Sequence, residues 1–210
     1  LESIREYSAE RLGEETAPTA LRHAQHFASL GSEAFLESLY THGGVERRRT
    51  LTLELENLLA GVDAGLAVGE PEVAAGCALA AGQVFAMHGP FSDGIALLER
   101  VLGQPVGLGT KGRLFRSAGW LLRFAGRYSE ALEHFQQALA IAREVGNRRS
   151  EGITLGNLGD LLFSQGDLPA AETHLRQAIV IGDETWPLAA GAFRGSLALI
   201  RAQQGAFDEA

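Results

Sequence analysis

Arg113, Arg116, Trp120, Arg123 and Arg127 are the residues of this 210-residue chain whose types and spacing most directly suggest chemistry. Spacings of 3, 4, 3 and 4 place them on one stripe of a single helix, a ridge of about 21 Å at the helical rise. A guanidinium grips a carboxylate or phosphate through two parallel hydrogen bonds, and an aromatic ring beside it offers an apolar anchor. Residues 101–150 hold 8 Lys+Arg against 3 Asp+Glu, whereas residues 51–100 hold 1 against 7, so the stripe is a basic island in a chain of net charge −8. The competing reading is a solvated face whose arginines pair with acids such as Glu130 and Glu151, each exposed pair contributing about 0–1 kcal/mol. Trp120 favours binding, because a large aromatic among charges on an exposed stripe has no evident structural duty. The opposite face, Phe115, Ala118, Leu122 and Ala125, is expected to supply the packing.

Other candidates carry less. His23 and His26 are three apart on a helix and could share a metal, but no third ligand lies near them, so no metal site is expected. The stretch from Gly107 to Gly112 matches GxGxxG, yet no strand precedes it, and it reads as a flexible loop between helices with no cofactor. Cys77 sits in an apolar run without a companion cysteine, which suits a small buried side chain and a reducing compartment. Arg47, Arg48 and Arg49 read as a solvated basic segment in a loop or at a helix start. No nucleophile, base and orienting carboxylate group together, so an enzyme is not expected.

The bulk properties agree. A 46% hydrophobic content supports a sizeable core, and the acidic balance argues against nucleic acid and anionic membrane as partners of the molecule as a whole. No apolar run reaches the ~18 residues of a membrane span, and a cytoplasmic location is the simpler expectation. With Leu at position 1 and a helix start at its last residues, the chain reads as cut at both ends.

The elements that position the stripe come from a repeat. Gly126, Tyr128 and Ala131 recur as Gly166, Leu168 and Ala171 and again as Gly205, Phe207 and Ala210, with a weaker copy at Gly89 and Phe91 where Gly94 replaces the Ala. The turn glycines 89, 126, 166 and 205 are spaced by 37, 40 and 39 residues, the length of a two-helix unit. Each Ala is followed at helical spacing by a large and then a small apolar residue: Phe135 and Ala138, then Leu175 and Ala178. Gly82, Gly119 and Gly159, seven residues before a turn glycine, are expected where two helices approach closely.

This pattern resembles the tetratricopeptide repeat, with a period longer than the usual ~34 residues and Ala198 where Gly is expected. The resemblance implies an all-α fold, a right-handed α-solenoid of antiparallel helix pairs preceded by additional helices. Repeats are expected at 72–103, 111–146 and 149–183, with a truncated one at 188–210, after a helical linker over 1–70. Helices are expected there over roughly 2–12, 20–40 and 51–68, broken at 13–18 and 41–44. In the tetratricopeptide register Arg113, Arg116, Trp120 and Arg123 line the concave groove, and Asn157, Asp160 and Phe163 join them from the next repeat. Such arrays often place an asparagine at the position of Asn157 to hold a peptide backbone; a helix cap or bridge is the equal alternative. The implied partner is a protein or an acidic peptide. Phe193, Leu197, Leu199, Ile200 and Phe207 belong to the incomplete repeat, and self-association through exposed apolar surface is expected there.

Near the amino end, Ile4-Arg5-Glu6-Tyr7 with Glu10-Arg11-Leu12, then the stretch from Leu21 to Phe27, then Leu55-Glu56-Asn57-Leu58, resemble the segment that follows the winged helix in bacterial STAND-class signalling ATPases. These include regulators like the antibiotic-production and maltose-type activators. The resemblance implies a sensor arm that receives a ligand or partner; none of the ATPase residues is in this chain.

Overall fold

The computed structural model of the chain describes residues 16–205. The string around Ile4 to Leu12, and Phe207 with the residues after it, lie outside the described residues. Within them are eleven α-helices, one short 3-10 turn and no β-strand, the all-α class expected. The helices are α1 Thr16–Ala28, α2 Glu33–Ser38, α3 Gly44–Leu53, α4 Leu55–Ala67, α5 Pro71–His88 and α6 Phe91–Leu102. They continue as α7 Leu108–Phe124, α8 Tyr128–Glu144, α9 Arg148–Gln165, α10 Leu168–Thr185 and α11 Pro187–Gln203. The chain forms two compact units: one takes α1 to α5 and α6 from Ala96 onward, the other takes Phe91–Ile95 and α7 to α11.

In the first unit the expected helix over 20–40 is broken by a 3-10 turn, Ser29–Gly31, and restarts at Ser32, whose side chain accepts from the Phe35 amide at 3.3 Å. The break has a steric cause. A Cβ on Gly31 would lie 1.9 Å from the Gly76 carbonyl oxygen of α5, so backbone meets backbone there. The helix expected over 51–68 is likewise two helices: α3 starts earlier, at Gly44, and Glu54 interrupts at φ −90°, ψ 4°. Leu51 and Leu58 are buried while Leu53 is 76% exposed, so the leucines of this run do not share one face. Nor does the breaker over 13–18 reach its end, for Thr16, Ala17 and Pro18 already lie in α1.

The arginine run is solvated only at Arg49, which is exposed; Arg47 and Arg48 are half-buried. The run lies inside α3, where Arg47 donates to the Ser38 carbonyl from Nε (2.9 Å) and Nη2 (2.6 Å) and to the His42 carbonyl at 2.6 Å. Arg48 donates to the Leu39 carbonyl. Together they satisfy carbonyls that the end of α2 leaves without intrahelical partners. Cys77 is buried and donates to the Ala24 carbonyl at 3.4 Å; burial, against a backbone hydrogen bond, pushes its thiol up to about 12. His23 and His26 pack their rings on Phe27, with centroids 4.7 and 5.0 Å away. Among the described residues no helix is long and apolar enough to cross a membrane.

The second unit shows why the repeat spacing exists. Helices α7/α8 and α9/α10 are successive hairpins, and α11 packs on α10 and α9. Ala131, Phe135 and Ala138 of α8 are buried, as are Ala171, Leu175 and Ala178 of α10. A Cβ on Gly119 would lie 2.8 Å from Phe135, and one on Gly159 would lie 2.6 Å from Leu175, so each glycine admits the large residue of its partner helix. Gly126 (φ +75°), one residue past the cap of α7, and Gly166 (φ +85°), the cap of α9, are both left-handed. The next amide bonds back to Leu122 in one case (2.9 Å) and Leu162 in the other (3.0 Å), which closes the helix with a left-handed residue that glycine adopts without strain. Asn147 and Asp167 cap α9 and α10, accepting from the Ser150 and Ala170 amides at 2.9 and 3.1 Å.

Three expectations are corrected here. From Leu108 the GxGxxG stretch is the start of α7 and not a loop; a Cβ on Gly112 would meet Ile141 at 2.9 Å, the same packing role Gly152 has against Ile181. The buried face of α7 holds Leu114 and Leu121 as well as Ala118 and Leu122, because the helix packs on both α8 and α9, while Phe115 is half-buried and Ala125 is an exposed cap. In α11, Ile200 is fully buried and Phe193 is 7% exposed, held against Gly156, so of the apolar residues expected at an open end Leu199 alone, at 61%, is largely exposed among those described.

Candidate functional site

Helix α7 carries Arg113, Arg116, Trp120 and Arg123, all half-buried, on a ridge of about 15 Å. Arg127 leaves the stripe. It lies beyond the end of α7 as the residue before α8 and forms a two-bond pair with Glu130 at 2.7 and 2.5 Å. Glu151, the other acid considered for pairing, is held by Arg143 (3.0 Å) and Arg148 (2.8 Å). The solvated-pair reading therefore describes Arg127.

The stripe is stitched to the next odd-numbered helix. Arg116 Nη1 donates to Ser150 Oγ and Arg123 Nε to Ser164 Oγ, each at 3.3 Å, and the Ser164 hydroxyl in turn donates to the Asp160 carbonyl at 2.9 Å. Two helices further on, Ser196 of α11 stands beside the Asp160 carboxylate and favours its ionised form. Burial pushes that carboxyl above the ordinary Asp value, and the Ser196 bond and the Arg123 charge oppose the rise. Asp160 is thus an acid with Arg123 and Ser196 of its own chain beside it.

Trp120 packs against Phe124 with ring centroids 5.3 Å apart, and Phe124 stacks on Phe91 at 5.7 Å with Arg123 over its face at 5.7 Å. Phe91 and Phe124 did not figure in the sequence reading of the site. Their signal was present, since Phe124 follows Arg123 on the same helix, but an aromatic in the last turn reads equally as core. The Trp120 indole N–H makes no hydrogen bond among the described residues. Asn157, half-buried on α9, makes none there either, and the capping asparagine of that helix is Asn147. Phe163 is half-buried one turn beyond Asp160.

Charge separates by layer. The sequences of α7, α9 and α11 hold 8 Lys+Arg and 2 Asp+Glu, whereas those of α8 and α10 hold 2 and 6. Adjacent like charges raise the local potential beyond any one pair, so the first helices of the hairpins are locally basic although the whole chain is acidic.

Residues 113–181 match the family model of the tetratricopeptide repeat, so α7 to α10 form a tetratricopeptide-type array. Repeats of this family generally mediate contacts between proteins. Among curated proteins nothing matches the chain. Among solved structures it is similar to the crystal structure of BtubC (BKLC) from P. vanneervenii, with 12% identity, a TM-score of 0.58, and coverage of 93% of this chain and 85% of that one. At that identity the likeness is one of fold alone.

Proposed function

We propose that the face built from α7, α9 and α11 binds a carboxylate-bearing, acidic peptide of a partner protein, and that the chain serves as the sensor arm of a larger bacterial STAND-type regulator in the cytoplasm. One observation carries the binding reading: Asn157 presents a half-buried amide with no hydrogen bond among the described residues, on the same helices that bring Trp120, Arg116 and Arg123 together. A half-buried amide that solvent still reaches can exchange water for a ligand, and an extended peptide backbone supplies both a donor and an acceptor. In this reading Arg113, Arg116 and Arg123 attract the acid, Trp120 with Phe124 takes the apolar side chain beside it, and Phe163 extends the wall. Asp160, engaged by Ser196, sets the boundary of the basic patch.

The test is a displayed peptide library panned on the chain. Enriched sequences should carry Asp or Glu next to an apolar residue, and should lose retention on Trp120→Ala and on Arg116→Glu/Arg123→Glu while the helical circular-dichroism signal persists. Retention should also fall with added salt, since these charges are partly exposed. Peptides held equally by both variants would overturn the reading.

A second reading, an arm that transmits strain with no ligand of its own, draws on the polar stitches Arg116–Ser150 and Arg123–Ser164, which tie α7 to α9, and on Ser196 of α11 beside Asp160 of α9. It expects no enrichment from any library.

A further inference from the structure

Where α8, α9 and α10 meet in the second unit, two arginines five residues apart are brought to one edge by a turn: Arg143 lies in the last turn of α8 and Arg148 begins α9. Arg176 approaches from the middle of α10, and the three line a cleft of about 400 Å³, within the roughly 300–1,000 Å³ of small-molecule sites. The wall and rim are apolar. Leu155 and Ile181 are buried, and Val180, 60% exposed, stands at the opening.

Glu151 orients the cations without exhausting them. One of its oxygens accepts from Arg143 Nε at 3.0 Å and the other from Arg148 Nη1 at 2.8 Å, so both are occupied. Arg176 is held by Glu172 through Nε and Nη2 at 3.0 and 2.6 Å. Among the described residues this leaves both Nη groups of Arg143, Nη2 of Arg148 and Nη1 of Arg176 without a hydrogen bond. The local field registers on a neighbour. Burial, then the Arg143 charge, hold the His174 imidazole below its ordinary value, and its Nδ1 is buried without a partner among the described residues.

We infer that this cleft is a second, independent site, for a carboxylate carried on an apolar group: the guanidinium donors of Arg143, Arg148 and Arg176 take the carboxylate, and Leu155, Val180 and Ile181 take the apolar chain. A free small acid and the carboxyl-terminal residue of a peptide share this chemistry. The bidentate fork of arginine suits the planar acid, and Glu151 holds two of the three forks in place beforehand.

N-acetyl-leucine, N-acetyl-leucinamide and a pentapeptide ending in Leu with a free carboxylate serve as probes, each titrated into the full chain with labelled Arg Nε and Val methyl groups. At millimolar probe the acid or the peptide should saturably shift Arg143, Arg176 and Val180; the peptide alone doing so identifies a chain terminus as the source. Binding should weaken about tenfold or more in Arg143→Gln/Arg176→Gln, which removes charge-assisted bonds. Val180→Glu, at an exposed position, should block the cleft, and Trp120→Ala should leave binding unchanged. Equal shifts from the leucinamide, unchanged affinity in the arginine double variant, or no saturable shift from acid or peptide would overturn the inference.

Discussion

Gly156 of α9 and Gly195 of α11 occupy the same register of successive repeats, 39 residues apart, yet the same substitution should act on them with opposite sign. A Cβ on Gly156 would lie 2.0, 2.1 and 2.5 Å from Cζ, Cε1 and Cε2 of Phe193. Ordinary carbon contacts are ~3.5–4.0 Å, so the ring must retreat by about 1.5 Å from a packed position. Overpacking of this kind costs about 1–3 kcal/mol, and at this displacement the upper half of that range applies. Alanine regains about 1 kcal/mol of helix propensity. Gly156→Ala should therefore destabilise the chain by about 1–2 kcal/mol. At Gly195 no described atom lies within 4 Å of the added carbon, so Gly195→Ala should stabilise by about 0.5–1 kcal/mol. For a chain of this size each kcal/mol moves Tm by about 2–4 °C, so the two variants should melt on opposite sides of the parent and several degrees apart. Because repeat arrays open locally, amide exchange in α9 and α11 is the companion readout. Phe193→Leu removes the three offending ring atoms, and in that background Gly156→Ala should lose most of its cost. A Gly156→Ala variant that melts at or above the parent, or pays the same penalty with Leu at 193, would refute the packing argument.

Other consequences follow from the ionisable groups. Burial raises the Asp160 carboxyl in the fold, so the ionised form is disfavoured there and stability falls as pH rises through its folded value. Asp160→Asn should raise Tm at pH 7, with the gain vanishing toward pH 3 in a melt series, and should tighten binding of acidic peptides on that face. Glu151 has the opposite sign: burial would raise its carboxyl, but the hydrogen bonds from Arg143 and Arg148 outweigh it and hold it below the ordinary Glu value. Its contribution is present at neutral pH and is lost as pH falls through the folded value, so Glu151→Gln should lower Tm at pH 7 and match the parent in acid. Cys77, buried and pushed up to about 12, should resist a thiol reagent at pH 8 until denaturant opens the first unit, and fast labelling of the folded chain would contradict its burial.

The sequence by itself determined the helical class, the hairpin register of the second unit and the stripe on α7. These rest on local regularities: an apolar residue every three or four positions, a small residue where a partner helix crosses, and a glycine where a helix must end left-handed, as at Gly126 and Gly166. Such signals lie within a few residues of one another, so the residue order alone contains them.

Tertiary structure decided the rest. The breaks at Ser29–Gly31 and Glu54 depend on the crossing at Gly76 and on which leucines α3 and α4 bury, neither visible in an apolar run. Arg47 and Arg48 became caps, Arg127 left the stripe, and Arg123 found Ser164, 41 residues onward. The arginine cleft likewise joins α8, α9 and α10 through a turn and a neighbouring helix. A side chain's charge and shape are written at its own position, but its partner is chosen by how helices far apart in the chain pack. The guanidinium groups of this protein took their roles only once those helices had met.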